Sequence, residues 1–299
     1  MKLITGDCRE VLLPMPDDSI DLIFCSPPYE AARTYGIDFN LRGDAWVDWA
    51  FDRFCSCLRV CRGLVAWVVQ GQTRNFCWSA TPVLLMAELH RAGYSLRNPA
   101  IYKRHGIPGS GGPDWLRSDY EWIICATRRL GELPWSDNVA CGHPPKFPPV
   151  GEMSNRRSDG RRVNAPSGRA RKGYEAPSTA DRAQYGSHRS RRRGGKVYMP
   201  PELVNPGNVI DCGAVGGVNM GSPLAHENEA PFPEKLAEFF VKSFCPPGGI
   251  VMDPFCGSGT TGAMALKHGR DFVGIDIRQS QIDLTQRRLQ DAVPVEVAK

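Results

Sequence analysis

At 299 residues, 41% of them hydrophobic and 23% charged, the chain is long enough for one large α/β domain or two small ones, which excludes a disordered polymer. Its longest apolar runs, such as LVAWVV at 64–69, fall far short of the ~20 residues a membrane helix needs; no charged-then-apolar signal region follows Met1, so a cytoplasmic protein is expected. The 11 cysteines are an odd number scattered through apparent strands and helices, which argues against a secreted disulfide framework, and the net charge of +5 is concentrated in one segment.

The opening LITGDCREVLLPMPDDSIDLIFCSPPY alternates a short strand, a helical stretch and a strong strand, the rhythm of a parallel sheet. Leu22 to Cys25 reads as a strand buried on both faces. Pro27 and Pro28 cannot donate ladder hydrogen bonds, so that strand stops near Ser26 and presents Tyr29 at its end. Trp46 to Gly63 carries apolar residues at helical spacing and closes on a glycine stop. The strand LVAWVV follows, then a helix over about Thr81 to Ala92, then strand candidates in RNPAIYKR and YEWIICATR on either side of the loop HGIPGSGGPDW.

From about Leu130 to Asn205 the rhythm fails, and Pro, Gly, Ser and Arg replace the aliphatic residues. Residues 151–196 hold 13 Lys and Arg against 4 Asp and Glu, a segment charge of +9 that leaves −4 for the rest. Two readings stand: a disordered linker, or a basic arm that meets a polyanion, with Tyr174 and Tyr185 placed to stack on bases. Neither Cys55, Cys57 and Cys61 nor Cys141 with His143 has paired metal-ligand spacing, so no metal is expected.

Regular structure resumes with a helix behind Pro233 that closes at Pro246, the strand IVMD, and then DPFCGSGTTGAMALKHG and DFVGIDI. The last segment, Ser280 to Ala292, reads as a helix. Gly257, Gly259 and Gly262 form G-x-G-x-x-G between a strand and a helix, and Asp276 ends the next strand, 19 residues beyond Gly257. That is the layout of a nucleoside cofactor site, with the carboxylate placed for ribose hydroxyls, and NAD enzymes share it. Asp253 directly before the loop repels a pyrophosphate and favours a sulfonium or amino group; Phe255 adds an aromatic face. Thr260 and Thr261 replace the apolar start of a dinucleotide helix.

DPFCGSGTT at 253–261 together with SPPY at 26–29 resembles the amino-directed DNA methyltransferases that use S-adenosylmethionine, and the order of the two motifs resembles their β-class permutation. GDCREVL, LRVCRGLVAWVV and HENEAPFPEKL also look like family blocks, the last only loosely, so His226 is read as a structural histidine. The resemblance implies an α/β, Rossmann-like methyltransferase fold with a mostly parallel central sheet flanked by helices. It implies residues 1–130 as the catalytic half, 131–205 as a basic target-recognition insertion and 206–299 as the cofactor-binding half.

By the same resemblance, Ser26 and the Pro27 carbonyl accept the protons of an exocyclic amino group, Pro28 stiffens the corner, and Tyr29 stacks on a flipped base. Asp253, Pro254, Phe255, Gly257, Ser258, Gly259, Thr260 and Thr261 cradle the cofactor. Asp7 lies near its adenine, or serves as a helix N-cap, and Phe232 and Glu234 lie near its methionine end. Arg189, Arg191, Arg192, Arg193 and Lys196 contact DNA phosphates, which positions without specifying. None of the 25 prolines precedes a cysteine, so the Pro-Cys nucleophile of ring-carbon cytosine methylation is missing. Serine at the first motif position favours cytosine N4 over adenine N6. A cognate restriction nuclease and a homodimer are further expectations of the resemblance, within a bacterial cell. The competing classes are a catalytically silent nucleic-acid-binding protein of the same fold, a NAD-linked oxidoreductase resting on the three glycines alone, and RNA or protein methylation.

Overall fold

The structure is a computed structural model describing residues 1–31, 39–104, 111–144, 202–213, 221–228 and 230–292. Its contacts divide the chain into one unit of Met1–Ala140 with Gly207–Lys299 and a second of Cys141–Pro206. In the second unit an antiparallel bridge joins His143 to Val204.

The first unit begins with β1 (Lys2–Thr5), α1 (Cys8–Leu12), β2 (Ile20–Cys25), α2 (Gly43–Val60) and β3 (Cys61–Val69). A two-stranded hairpin, β4 (Thr73–Arg74) and β5 (Cys77–Trp78), precedes α3 (Thr81–Arg91), β6 (Ser95–Leu96), β7 (Ala100–Lys103) and β8 (Tyr120–Thr127). After the second unit come β9 (Val209–Asp211), a 3-10 turn (Pro223–Glu227), α4 (Glu234–Phe244), β10 (Ile250–Asp253), α5 (Thr260–Lys267), β11 (Asp271–Asp276) and α6 (Gln279–Ala292).

Nine strands form one sheet in the order β1-β11-β10-β2-β3-β8-β7-β9, with β6 paired to β8. The five from β1 to β3 are parallel; β8 runs antiparallel to β3, β6 and β7. Strand β2 alternates its side chains between two cores. Leu22 and Phe24 join α4, α5 and α6 on one face, while Ile23 and Cys25 join α1, α2 and α3 on the other. Both faces are therefore covered, which is why the strand reads as an unbroken apolar run. Each large apolar side chain so buried stabilises the fold by about 1.5–3 kcal/mol. Eight cysteines are buried among these packed residues; Cys55 and Cys141 are half-buried and Cys77 is exposed.

The direction of winding reverses between β10 and β2. From β10 the chain moves through α5 to β11 on one side, and from β2 it moves through α2 to β3 on the other. A crevice opens beyond the strand ends at such a reversal.

One local expectation is corrected, and some short strands are new. Helix α2 ends at Val60 and passes straight into β3, so Gly63 is a strand residue and no helix stop. A Cβ at Gly63 would stand 2.0 Å from the Asp21 carbonyl, so close strand approach is what demands glycine there. The hairpin β4–β5 and the strand β9 were not expected, because two- and three-residue strands carry no periodicity to read. Among the described residues no helix is long and apolar enough to cross a membrane.

Candidate active site

Strands β2 and β10 pair in parallel, Leu22 beside Val251 and Ile23 beside Met252. Their C-terminal ends carry the proline corner and the glycine loop, so two motifs more than 220 positions apart become neighbours across one strand spacing. Both line a single cavity of about 570 Å³, within the range of small-molecule sites.

The corner is held from outside the sheet. Trp46 donates its indole N–H to the Pro28 carbonyl at 2.9 Å. Glu30, only 3% exposed, accepts from the Gly43 and Gln72 amides at 3.1 Å each and from the Ser79 and Thr81 hydroxyls. A buried carboxylate needs such partners; here it also supplies the cap that Arg42 does not give to α2. The Ser26 hydroxyl lies 3.2 Å from the Tyr29 hydroxyl and 3.2 Å from the Val68 carbonyl. It has one hydrogen to donate to either, leaving its lone pairs for an incoming N–H.

The glycine loop is shaped by left-handed backbone at Gly257 (φ 50°) and Gly259 (φ 76°). A Cβ at Gly257 would meet the Asn228 amide at 2.7 Å, and one at Gly259 the Thr285 methyl at 2.8 Å. Asp276 accepts from the Gly257 amide at 3.0 Å and the Arg278 amide at 2.9 Å, tying the loop to the end of β11. Buried Arg288 donates to the Ser258 carbonyl, to Thr260 Oγ1 at 2.9 Å and to Glu234 at 2.7 Å.

Of the residues singled out in the sequence, Asp7, Ser26, Pro27, Pro28, Tyr29, Phe232, Pro254, Phe255, Gly257, Ser258, Thr260 and Asp276 line this cavity, whereas Glu234, Asp253, Gly259 and Thr261 stand behind it. Asp7 caps α1, accepting the Arg9 amide at 2.8 Å, and also accepts from Arg53 at 2.8 Å. Phe255 packs between Trp67 and Trp49, and the Arg53 guanidinium sits 4.7 Å over the Trp49 ring. Trp49, Arg53, Asn228, Tyr102, Arg104 and Glu121 are lining residues that the sequence did not single out. No motif spacing marks them; only the fold gathers them. Arg189, Arg191, Arg192, Arg193, Lys196, Tyr174, Tyr185 and the side chain of His226 lie outside the described residues.

Asp253 was expected to face a cationic cofactor. It is 1% exposed and instead organises the loop, accepting from the Phe255 amide at 3.0 Å and from the Thr261 hydroxyl. Burial pushes its carboxyl up to about 7, against the pull of those two hydrogen bonds and with a further push from Asp276. The folded protein thus keeps a proton here that the unfolded chain releases near pH 4. This group's contribution to stability is complete below that pH and is lost as pH rises through about 7. Asp253→Asn has no such titration. Urea unfolding should therefore show the variant gaining on the wild type by roughly 4 kcal/mol between pH 4 and pH 8, at about 1.4 kcal/mol per pKa unit.

The residues present fit S-adenosylmethionine: a left-handed glycine turn that brings Gly257 and Ser258 to the cavity wall, a carboxylate at the end of β11, and aromatic walls from Phe255, Trp49 and Phe232. The cytosine-N4-specific PvuII DNA methyltransferase shares the fold, with a TM-score of 0.64 at 16% identity, covering 99% of this chain and 87% of that one. The Thermus thermophilus protein TTHA0409, solved with S-adenosyl-L-methionine, gives a TM-score of 0.57 at 20% identity over 98% and 96% of the two chains. The DNA adenine methyltransferase YhdJ of Escherichia coli K12 is 25% identical over 295 residues, 97% of this chain and 83% of its own. A DNA methylase family model, that of the N6 and N4 methyltransferases, matches residues 20–287, and the chain belongs to that family: it is an amino-directed DNA methyltransferase.

Proposed function

We propose that the enzyme methylates the N4 amino group of cytosine in DNA, at a base turned out of the duplex into the cavity between β2 and β10. The observation that carries this reading is the meeting of the proline corner and the glycine loop at the ends of adjacent parallel strands. Serine at position 26 favours cytosine over adenine, and the PvuII enzyme, named as cytosine-N4-specific, has the same fold.

When bound, S-adenosylmethionine supplies a methyl group on a sulfonium. The glycine loop, Asp276 and Phe255 would hold it, together with Asp7 and Phe232 from the same cavity wall. An exocyclic amino nitrogen is a poor nucleophile because its lone pair is delocalised into the base. Ser26 and the Pro27 carbonyl accept its protons and draw the lone pair out of the ring plane, so that catalysis rests on alignment. Tyr29 supplies a stacking face, offsetting part of the few kcal/mol that unstacking costs. Tyr102 has a buried hydroxyl with no partner among the described residues, and burial pushes its pKa well up. It is a donor suited to the ring nitrogen beside the target amino group. The basic run at 189–196 holds the DNA backbone.

Adenine N6 is the second reading, favoured by the similarity to an enzyme named a DNA adenine methyltransferase. Incubation with tritiated cofactor and unmethylated DNA, followed by nucleoside mass spectrometry, should yield N4-methylcytosine; N6-methyladenine would replace the first reading with the second. Absence of label in DNA would overturn both.

A further inference from the structure

Glu121 is a charged residue that is 7% exposed, at the start of β8, and it lines the cavity. Its Oε1 accepts from Arg104 at 2.5 Å. Its Oε2 accepts from the Tyr29 hydroxyl at 2.9 Å, and that hydroxyl lies 3.2 Å from Ser26 Oγ. An unbroken line of hydrogen-bonding atoms therefore runs from the place where the amino group is held to a carboxylate on another strand. If Tyr29 served only as a stacking surface, its ring would suffice, and the hydroxyl and a buried ion pair would be surplus.

We propose that Glu121 is the end of a proton path from the target nitrogen, running through Ser26 and Tyr29, with Arg104 as the positioning residue that turns the carboxylate toward Tyr29. The proposal rests on the amino-methylation read above and adds a component to it. As the N–C bond forms and the methyl–sulfur bond breaks, the electron pair of the latter returns to sulfur and the nitrogen holds one proton too many. Losing it restores conjugation with the ring, so this proton is strongly acidic. The Pro27 carbonyl accepts a hydrogen bond but has no use for a full proton, and a serine hydroxyl is a feeble base. In the path, the nitrogen passes its proton to Ser26 Oγ, Ser26 passes its own to the Tyr29 oxygen, and Tyr29 passes its own to Glu121 Oε2. The two hydroxyls finish as they began, the nitrogen is neutral, and Glu121 carries the proton until solvent removes it. Because proton loss accompanies bond formation, cutting the path slows transfer itself.

Tyr29→Phe keeps the stacking ring and removes one link; Glu121→Gln keeps the shape and removes the acceptor. Each should lower the single-turnover rate of tritium transfer from S-adenosylmethionine to unmethylated plasmid DNA by about 10²-fold, the lower end of general acid–base effects. The double variant should fall no further than the singles, because both cut the same path. Calorimetric affinity for S-adenosylmethionine should stay within about twofold of wild type, since neither side chain belongs to the glycine loop. Tyr29→Phe transferring within twofold of the wild-type rate would overturn the path, as would a double variant whose loss is the product of the two single losses. A wild-type enzyme that labels no DNA would instead overturn the proposed function beneath it.

Discussion

Ser26→Ala combined with Tyr29→Ala lowers methyl transfer to DNA by about 10³-fold or more while S-adenosylmethionine binding is retained. The loss follows from what the corner supplies. The amino group becomes nucleophilic only where acceptors stand ready, and Ser26 is held by the Val68 carbonyl and the Tyr29 hydroxyl before substrate arrives. Preorganised groups of this kind are each worth about 10²–10³ in rate. On the proposed mechanism the double change also removes the stacking face, so a flipped base would lose its resting surface and its proton acceptor together. Cofactor affinity survives because Gly257, Ser258 and Asp276 are held by Arg288 and by the loop's own backbone. Filter binding of tritiated DNA beside a calorimetric titration of the cofactor separates the two effects. Full activity in this variant would remove Ser26 and Tyr29 from the chemistry.

Arg288→Ala destabilises the protein by about 3–5 kcal/mol and weakens cofactor binding at least tenfold. Its guanidinium is 2% exposed and donates at once to the Ser258 carbonyl, the Ser258 and Thr260 hydroxyls and the Glu234 carboxylate. Removing the arginine leaves the Glu234 carboxylate, about a quarter exposed, without its ion-pair partner and takes the donor from buried oxygens of Ser258 and Thr260. Here it also frees Ser258 and Thr260, two glycine-loop residues that line the cavity. Thermal unfolding should show a fall on the order of 10 °C, with a drop in affinity that Arg288→Lys partly restores through its single ammonium. Unchanged stability would mean that Glu234 and the loop find other partners.

How much of this was legible in the sequence depended on whether each element leaves a local signature. The parallel strands did, because burial on both faces turns β2 and β3 into continuous apolar runs. The glycine loop did, because left-handed backbone restricts the choice of residue. Gly63 misled for the same reason: glycine reads as a helix stop, and nothing local reveals that the Asp21 carbonyl lies against it. Asp253 misled because a carboxylate beside a ligand loop looks like a contact, whereas the fold turns it inward onto Phe255 and Thr261. Glu121 and Arg104 were illegible: Glu121 meets Tyr29, and Arg104 meets Glu121, only through the antiparallel pairing of β3 with β8 and of β8 with β7, and pairing register is not written in spacing.

The partnership of β2 with β10 also governs when the enzyme can exist during its own synthesis. The Ile250 amide hydrogen-bonds to Asp21 across 229 positions, so the strand that leads into the glycine loop is made long after the strand that leads into the proline corner. Contacts of such sequence separation slow folding, because a long loop must close before they reward it. A nascent chain therefore cannot close its pocket before β10 and the glycine loop behind it have been made.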